Sequence, residues 1–459
     1  MQKGHITTAI SQNNMKKELQ KIIISYASGN FEKLLEDYRG RLKNMAIFSP
    51  DDKRTKIVWQ IIKEIDADTD EKADKAVIKY TKKFDGVDLT PDKIKVSSKE
   101  LYAARKQLDK KLLKSIRQSI ANVRKYQKDI FIPKKDRFCK NGTGIKYKPL
   151  KSVGVYVPAG TAPLPSTVIM TAVPAHVAGV KKIVVVSPPR YKGDIHPVIK
   201  AVCCELGITE VYRIGGIQAI AALASKHGTI PLVDKIVGPG NQWVQTAKKT
   251  VSPDYVAIDA IDGPSEVLII ADDSANPAWV AADMLSQAEH NIGCGIVFTT
   301  SKVLVGKILK QLEIQIPKLH RSKETWGCIK KYSRIVLFKN ATDLIKWSNE
   351  FAPEHLQIQC GKRSSQIAEK IENAGAIFVG EYSPVAVGDY WAGPSHTLPT
   401  GGCARFSSAL TSNDFIKSIS IIEYDKQKLK KNTDDIIRLA QAEGLDAHAN
   451  SVKIRFKRD

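Results

Sequence analysis

The spacing of apolar residues changes character near residue 150. From about 10 to 130, apolar positions recur three and four residues apart in Lys- and Glu-rich surroundings. RTKIVWQIIKEI and KLLKSIRQSIANVRKY are examples, and the spacing predicts amphipathic helices. Beyond 150, VGVYVPAG, KKIVVVSPP, EVYRIGG, DKIVGPGN and SEVLIIADD are short apolar or β-branched runs closed by Gly, Pro, Ser or Asp, the pattern of strands. Helix-like stretches such as TVIMTAVPAHVAGV and IQAIAALASKHG lie between them. A second set follows, with CGIVFTTS, RIVLFKN and GAIFVGE as strands and VAADMLSQAEHN and SQIAEKIENAG as helices. From about 411 the pattern turns helical again, as in DDIIRLAQAEG.

Strands of near-continuous apolar character alternating with helices predict parallel sheets covered on both faces. The fold class is therefore α/β: two Rossmann-like units, incomplete and possibly duplicated, with a helical N-terminal segment and a helical C-terminal tail. No G-x-G-x-x-G follows any strand. The glycines of RIGG, VGPGN and VPAG do stand at strand ends, where open α/β sheets bind ligands. The same glycines also fit tight turns that need positive φ.

Composition narrows the class. Among 459 residues, 43% are hydrophobic and 26% charged, which is ordinary for a globular protein and excludes wholesale disorder. The most apolar region, 153–185, is broken by Pro158, Pro163, Pro165, Pro174 and His176, so no membrane span is expected. The start, MQKGHITTAISQNNMKKELQK, lacks an apolar core followed by a cleavage site, which argues against secretion. Seven scattered cysteines without a C-x-x-C pair fit a reducing cytoplasm better than a disulfide framework or a thiolate zinc site. The net charge of +23 is spread through every segment without an aromatic-interleaved basic motif. It reads as a lysine-rich solvated surface, with no nucleic-acid partner expected.

Four segments carry candidate chemistry. In ADMLSQAEHN, Gln287 and His290 stand three apart on an expected helix and would share one face. His is a common neutral metal ligand and Gln offers a carbonyl oxygen, although the pair alone also fits a solvated helix face. In NEFAPEHLQIQ, Pro353 fixes the backbone ahead of Glu354 and His355, just before an expected strand. Adjacent residues on extended chain point in different directions, so the two side chains suit two proton transfers. In VGDYWAGPSHTLPTGG, Asp389 and His396 bracket a Gly- and Pro-rich loop. In AQAEGLDAHANSVKIR, Glu443 and His448 sit in a terminal tail, where polar groups make sense if the tail reaches another subunit's site.

Together and in order, these segments resemble the histidinol dehydrogenase family. GVYVPAGTAPLPSTVIMTAVPAHVAGV, GGIQAIAALA, KIVGPGNQWVQTAKK, IDGPSEVLIIAD, GDYWAGPSHTLPTGGCARFSS and LAQAEGLDAHANSVKIR add to the match, which runs from about residue 45 and is densest over 153–456. The resemblance implies a cytoplasmic, zinc- and NAD-dependent oxidation of L-histidinol through L-histidinal to L-histidine, the last step of histidine biosynthesis. It implies zinc held by Gln287, His290, Asp389 and His448, an N/O set that zinc accepts. It also implies NAD contacts at Tyr156, Gln218 and Asn241. Substrate contacts would fall on Ser265, Gln287, His290, His355, Asp389, His396, Glu443 and His448. His355 would be the base, and Glu354 would activate water for the second oxidation.

The functional unit implied is a homodimer with exchanged tails. The expected partition is a helical segment 1–50, a discontinuous α/β domain of 51–155 and 266–410 with the metal and catalytic residues, an NAD-binding α/β domain 156–265, and a helical tail 411–459. Two rivals are a zinc dehydrogenase for another amino or sulfonated alcohol, and a basic nucleic-acid binder on a former enzyme scaffold. Residues 1 to about 25 carry no legible motif.

Overall fold

The computed structural model describes residues 12–46, 53–133, 137–159, 163–261, 263–290 and 292–456. Gly160 of the VPAG turn lies outside them. In chain order the strands are β1 (Ile23–Ser25), β2 (Arg137–Lys140), β3 (Thr143–Pro149), β4 (Ser152–Tyr156), β5 (Lys182–Val186), β6 (Glu210–Tyr212) and β7 (Lys235–Val237). They continue as β8 (Ala257–Ile258), β9 (Ser265–Ala271), β10 (Gly293–Thr299), β11 (Arg334–Leu337), β12 (His355–Gln359), β13 (Ala376–Val379) and β14 (Ile416–Ile422).

Two parallel sheets organise the molecule. One has the order β6-β5-β4-β7-β8, the other β1-β11-β10-β9-β12-β13. In each, the first strand of its α/β run (β4 or β9) has its next two strands on one side and the following two on the other. The same doubly wound order thus occurs twice, and β1 adds an edge to the second copy. The duplication anticipated from the hydrophobic pattern is real at the level of topology. A third, antiparallel sheet, β14-β3-β2, joins the C-terminal region to the segment before β4.

The strands are apolar on both faces because both faces are covered. Val153, Val155, Ile183 and Val185 face one core of the five-stranded sheet, while Val184, Val186 and Ile236 face the other. In the six-stranded sheet Val267, Ile269 and Val297 face one core, and Leu268, Ile270 and Phe298 the opposite one. A buried Val, Leu, Ile or Phe contributes about 1.5–3 kcal/mol, so these faces fix the layering.

The expected partition needs correcting in four places. Helices within 53–133 do not join 266–410. Val58, Ile61, Ile62 and Val77 of helices Lys53–Ile65 and Asp70–Asp85 pack on one face of the five-stranded sheet, and Ile116, Ile120 and Val123 of Lys110–Asp129 on the other. β4 also spans the expected boundary at 155/156. The N-terminal segment is not only helical, since β1 pairs with β11 and Leu35, Tyr38 and Leu42 enter the second core. Nor is the tail wholly helical, since β14 pairs with β3 along seven residues. Amphipathic spacing announces that a face will be buried, without naming its partner. Strand pairing over a gap such as 149 to 416 leaves no local trace.

Candidate active site

The candidate catalytic residues gather at the amino-terminal edge of the six-stranded sheet. β9 and β12 pair in parallel with His355 opposite Val267, which brings Ser265 and Glu266 beside Glu354 and His355 at the point where the winding reverses. Helix Ala341–Phe351 ends on Ala352, held in the left-handed region at φ 46°, and Pro353 prevents its continuation. The chain enters β12 directly from that turn. Successive residues of a strand point to opposite faces. Leu356 and Ile358 accordingly enter the core with Leu268, Ile270 and Phe351, and Glu354 points to their side, whereas His355 points to the other.

At the sheet edge the two side chains still meet. Nδ1 of His355 lies 3.4 Å from Oε2 of Glu354 and 3.0 Å from the main-chain oxygen of Glu266. Nε2 is buried without a hydrogen-bond partner among the described residues, 3.8 Å from Oδ1 of Asp389. Burial alone would lower the imidazole pKa. The carboxylates of Glu354 and Asp389 outweigh it and raise the ring to about 10. This departs from the neutral imidazole expected of a base. Burial likewise works against the charge of Asp389, yet the rings of His355, His396 and His290 hold its carboxyl below the usual range.

His355 opens onto a cleft of about 200 Å³ lined also by Phe378, Ser383, Asp389, His396 and Leu398. Burial lowers the His396 ring, with Asp389 opposing. Asp389 is carried by the short helix Val385–Tyr390, and the loop after it is tied to the other α/β unit. Ser119 Oγ donates to the oxygen of Tyr390 at 2.6 Å, Asn122 Nδ2 to that of Trp391 at 3.0 Å, and Ser395 Oγ to that of Met170 at 3.0 Å. The cleft is thus shaped by both sheets.

Gln287 and His290 do not share a helix face. Helix Pro277–Ala288 ends just after buried Gln287, and His290 lies beyond it, exposed, its N–H donating to the oxygen of Gln287 at 3.1 Å. The helix runs back from the far end of β9, so its last turn reaches the catalytic edge. Gly293 is required here, because a Cβ would sit 1.9 Å from the oxygen of Gln287. Glu443 and His448 do not line the cleft. Both are exposed, on helices Lys426–Ala442 and Asp446–Lys453 or at their ends, and of the longer helix only Ala440 is buried.

Among the described residues no three His, Cys, Asp and Glu side chains come together as a metal site. The four expected donors are therefore not assembled within one chain. Those near the cleft nevertheless fit zinc in kind. Gln287 is 3% exposed and its amide makes no hydrogen bond among the described residues, Asp389 is held ionised, and His290 is close enough to contribute to that.

The expected NAD contacts lie along the carboxyl edge of the five-stranded sheet, at its own reversal point between β4 and β7. Tyr156 ends β4 and its hydroxyl accepts the N–H of Gly216 at 3.1 Å, with burial raising the phenol to about 12. Gln218 Nε2 donates to Asp85 at 3.1 Å, while its buried Oε1 has no partner among the described residues. Asn241 caps helix Gln242–Val251, its Oδ1 accepting from Trp243 and Val244 at 3.0 and 3.2 Å. At Gly238, φ 113°, a Cβ would meet the oxygen of Tyr156 at 2.3 Å. The loop is clamped by buried Lys248, which bonds both the oxygen of Gly238 and Asp259.

Residues 49–456 match the family model described as histidinol dehydrogenase. The chain is 44% identical over 409 residues to a histidinol dehydrogenase of Oceanobacillus iheyensis, covering 88% of this chain and 95% of that one. It is 43% identical over 425 residues to one of Caldanaerobacter subterraneus subsp. tengcongensis, covering 91% and 97%. A crystal structure of histidinol dehydrogenase from Elizabethkingia anophelis superposes with a TM-score of 0.82 at 37% identity, covering 91% of this chain and 95% of that one. The chain belongs to the histidinol dehydrogenase family. As a histidinol dehydrogenase it is an oxidoreductase of histidine biosynthesis acting on histidinol, in a family that uses NAD. Among the described residues no helix is long and apolar enough to cross a membrane.

Two polar residues of this histidinol dehydrogenase escaped the motif reading. Glu266, 5% exposed, opens the run EVLIIA, and Asp283 lies inside the apolar stretch AADMLSQA. Asp283 accepts the amides of Gln357 and Gln359, both at 2.7 Å, on the strand that begins with His355. A carboxylate within an otherwise apolar strand or helix face was the available signal, since buried charges are retained only when paired or used.

Proposed function

We propose that the cleft at the amino-terminal edge carries out both oxidations, L-histidinol to L-histidinal and L-histidinal to L-histidine, with NAD, in the cytoplasm. The observation that carries this reading is His355. Its Nδ1 is tied to the oxygen of Glu266, and its buried Nε2 faces the cleft without a hydrogen-bond partner among the described residues. With Nδ1 carrying the hydrogen, Nε2 presents a lone pair to a substrate hydroxyl. It takes that proton as the carbon is oxidised.

The second oxidation needs a tetrahedral carbon, so water must add to the aldehyde and lose a proton. Glu354 handles that proton from behind the imidazole rather than from the cleft wall, acting through the Nδ1 contact. His396 on the cleft wall and Ser265 at the same sheet edge suit substrate contacts. Gln287, His290 and Asp389, joined by His448 of a second copy, would hold zinc. A cation held there would supply charge to offset Asp389, so that the His355 ring could be neutral, and a point of attachment for the substrate's imidazole and amino groups. NAD would lie along Tyr156, Gln218 and Asn241.

A homodimer with exchanged tails accounts for the exposed donors. Helix Lys426–Ala442 buries only Ala440 and leaves Leu439 and Leu445 open, and Ile454 beyond it is open as well. An amphipathic helix of this length keeps such a face for a partner. Glu443 and His448 would then enter the cleft of the second copy.

The test is NADH formation from limiting L-histidinol with excess NAD, with and without a chelator. Two NADH per histidinol, lost on chelation and restored by zinc, is the expected result. One NADH per substrate would remove the second oxidation, and none from folded, zinc-loaded protein would overturn the reading.

A further inference from the structure

We propose that Glu266 is a positioning residue for Glu354 and His355, and that the crevice behind it admits a small carboxylate to the same place. The inference rests on the reading of those two residues as the proton-handling pair. Glu266 touches both with nearly every polar atom it has. Its N–H donates to Oε2 of Glu354 at 2.8 Å and its main-chain oxygen receives Nδ1 of His355 at 3.0 Å. Its side-chain Oε1 accepts the N–H of Glu354 at 3.3 Å and that of Gly401 at 3.2 Å. The main chain of Glu266 therefore sets the direction of both catalytic side chains. Its carboxyl sets the main chain from which they spring and ties it to the 401 loop.

The surroundings oppose a carboxyl here. Burial and the neighbouring charge of Glu354 push it up to about 7. An apolar side chain on this face, the side of the core that holds Leu268, Phe351 and Leu356, would avoid that charge cost. What the carboxyl supplies, and an apolar side chain cannot, is an acceptor for the two N–H groups that would otherwise be buried unpaired.

Behind it, away from the cleft, lies a crevice of about 120 Å³ lined by Glu266, Arg39, Lys43, Glu350, Gly402 and Arg405. Arg39 is committed to Glu36 and Glu350. Lys43 and Arg405 make no ion pair among the described residues, and Glu36 also lines the crevice, so removing the Glu266 carboxyl would leave three cations facing two carboxylates. A formate-sized anion would be drawn to that position if the side chain were shortened.

Three variants test this, each checked for native circular dichroism and unfolding. Glu266→Met has similar length and no acceptor, and kcat is expected to fall about ten- to a hundred-fold, with KM for histidinol and NAD changing far less. Glu266→Gln keeps an acceptor oxygen and is expected to recover most of kcat. Glu266→Ala is expected to be slow and to regain kcat saturably with formate, and less with bulkier pivalate. Folded Met and Gln variants of equal activity, whether high or low, would overturn the proposal, as would a folded, slow Ala variant that ignores formate. If the Ala variant does not fold, the Met and Gln pair decides. Glu354→Gln measured alongside separates the two levels. A fully active Glu354→Gln removes the reading of the pair itself, whereas a slow one beside a fully active Glu266→Met overturns only the role of Glu266.

Discussion

Nε2 of His355 and Oδ1 of Asp389 lie 3.8 Å apart, too far for a good hydrogen bond and near enough for strong charge coupling. Asp389 thereby belongs both to the expected zinc donors and to the groups that set the imidazole charge. Against burial, it and Glu354 raise the ring to about 10, where it would be protonated at neutral pH and unable to act as a base. Zinc binding and base strength should therefore be linked.

The first prediction follows from that link. In zinc-free protein His355 should titrate near 10, and zinc loading should lower its pKa toward neutrality, because a cation beside Asp389 disfavours the imidazolium. Histidine-labelled NMR titrations with and without zinc would read it. An unchanged pKa on loading would break the link.

Glu354→Gln should slow the histidinal half-reaction more than the histidinol half-reaction, by roughly a hundred-fold against a smaller loss. Among the described residues Glu354 does not line the cleft, and it contacts Nδ1 of His355, which does. Single-turnover rates with each substrate would decide, and equal losses would argue against a separate task for Glu354.

Tail exchange predicts complementation between two inactive variants. His448→Ala has an intact cleft and His355→Ala an intact tail, so a mixed dimer would contain one complete site. Co-expressed or remixed protein should regain roughly a quarter of the parent activity for random pairing. If each chain uses its own tail, the mixture stays inactive.

Asp283 predicts a pH-dependent stability. Burial raises its carboxyl to about 6, against the pull of the Gln357 and Gln359 amides, while an unfolded Asp ionises near 3.9. A raised folded pKa means a contribution fully present below about 4 and lost as pH rises through about 6, on the order of 2 kcal/mol. Urea unfolding at pH 5 and pH 8 should show Asp283→Asn gaining on the parent at the higher pH. A pH-independent difference would refute this.

Gly293→Ala should destabilise the fold by more than about 2 kcal/mol and weaken zinc retention, since its Cβ would overlap the oxygen of Gln287. Calorimetry and metal analysis would check both effects, and a stable variant with full zinc would contradict the role given to this contact.

The local sequence determined the elements and pointed to most of the residues proposed for the chemistry. The apolar runs around Val155, Val185, Ile269 and Val297 became parallel strands because an extended segment apolar on both faces has to be buried on both. Ordered segments such as NEFAPEHLQI and ADMLSQAEH announced Gln287, Glu354 and His355, because those motifs are short and contiguous. Tertiary structure alone decided what those residues face. It set Glu266 against Glu354 through the pairing of β9 with β12, ended the helix before His290, and gave the helices of 53–133 to the five-stranded sheet. Those outcomes depend on pairings between residues far apart in the chain, and a periodic pattern specifies that a face is apolar without specifying which other face will cover it.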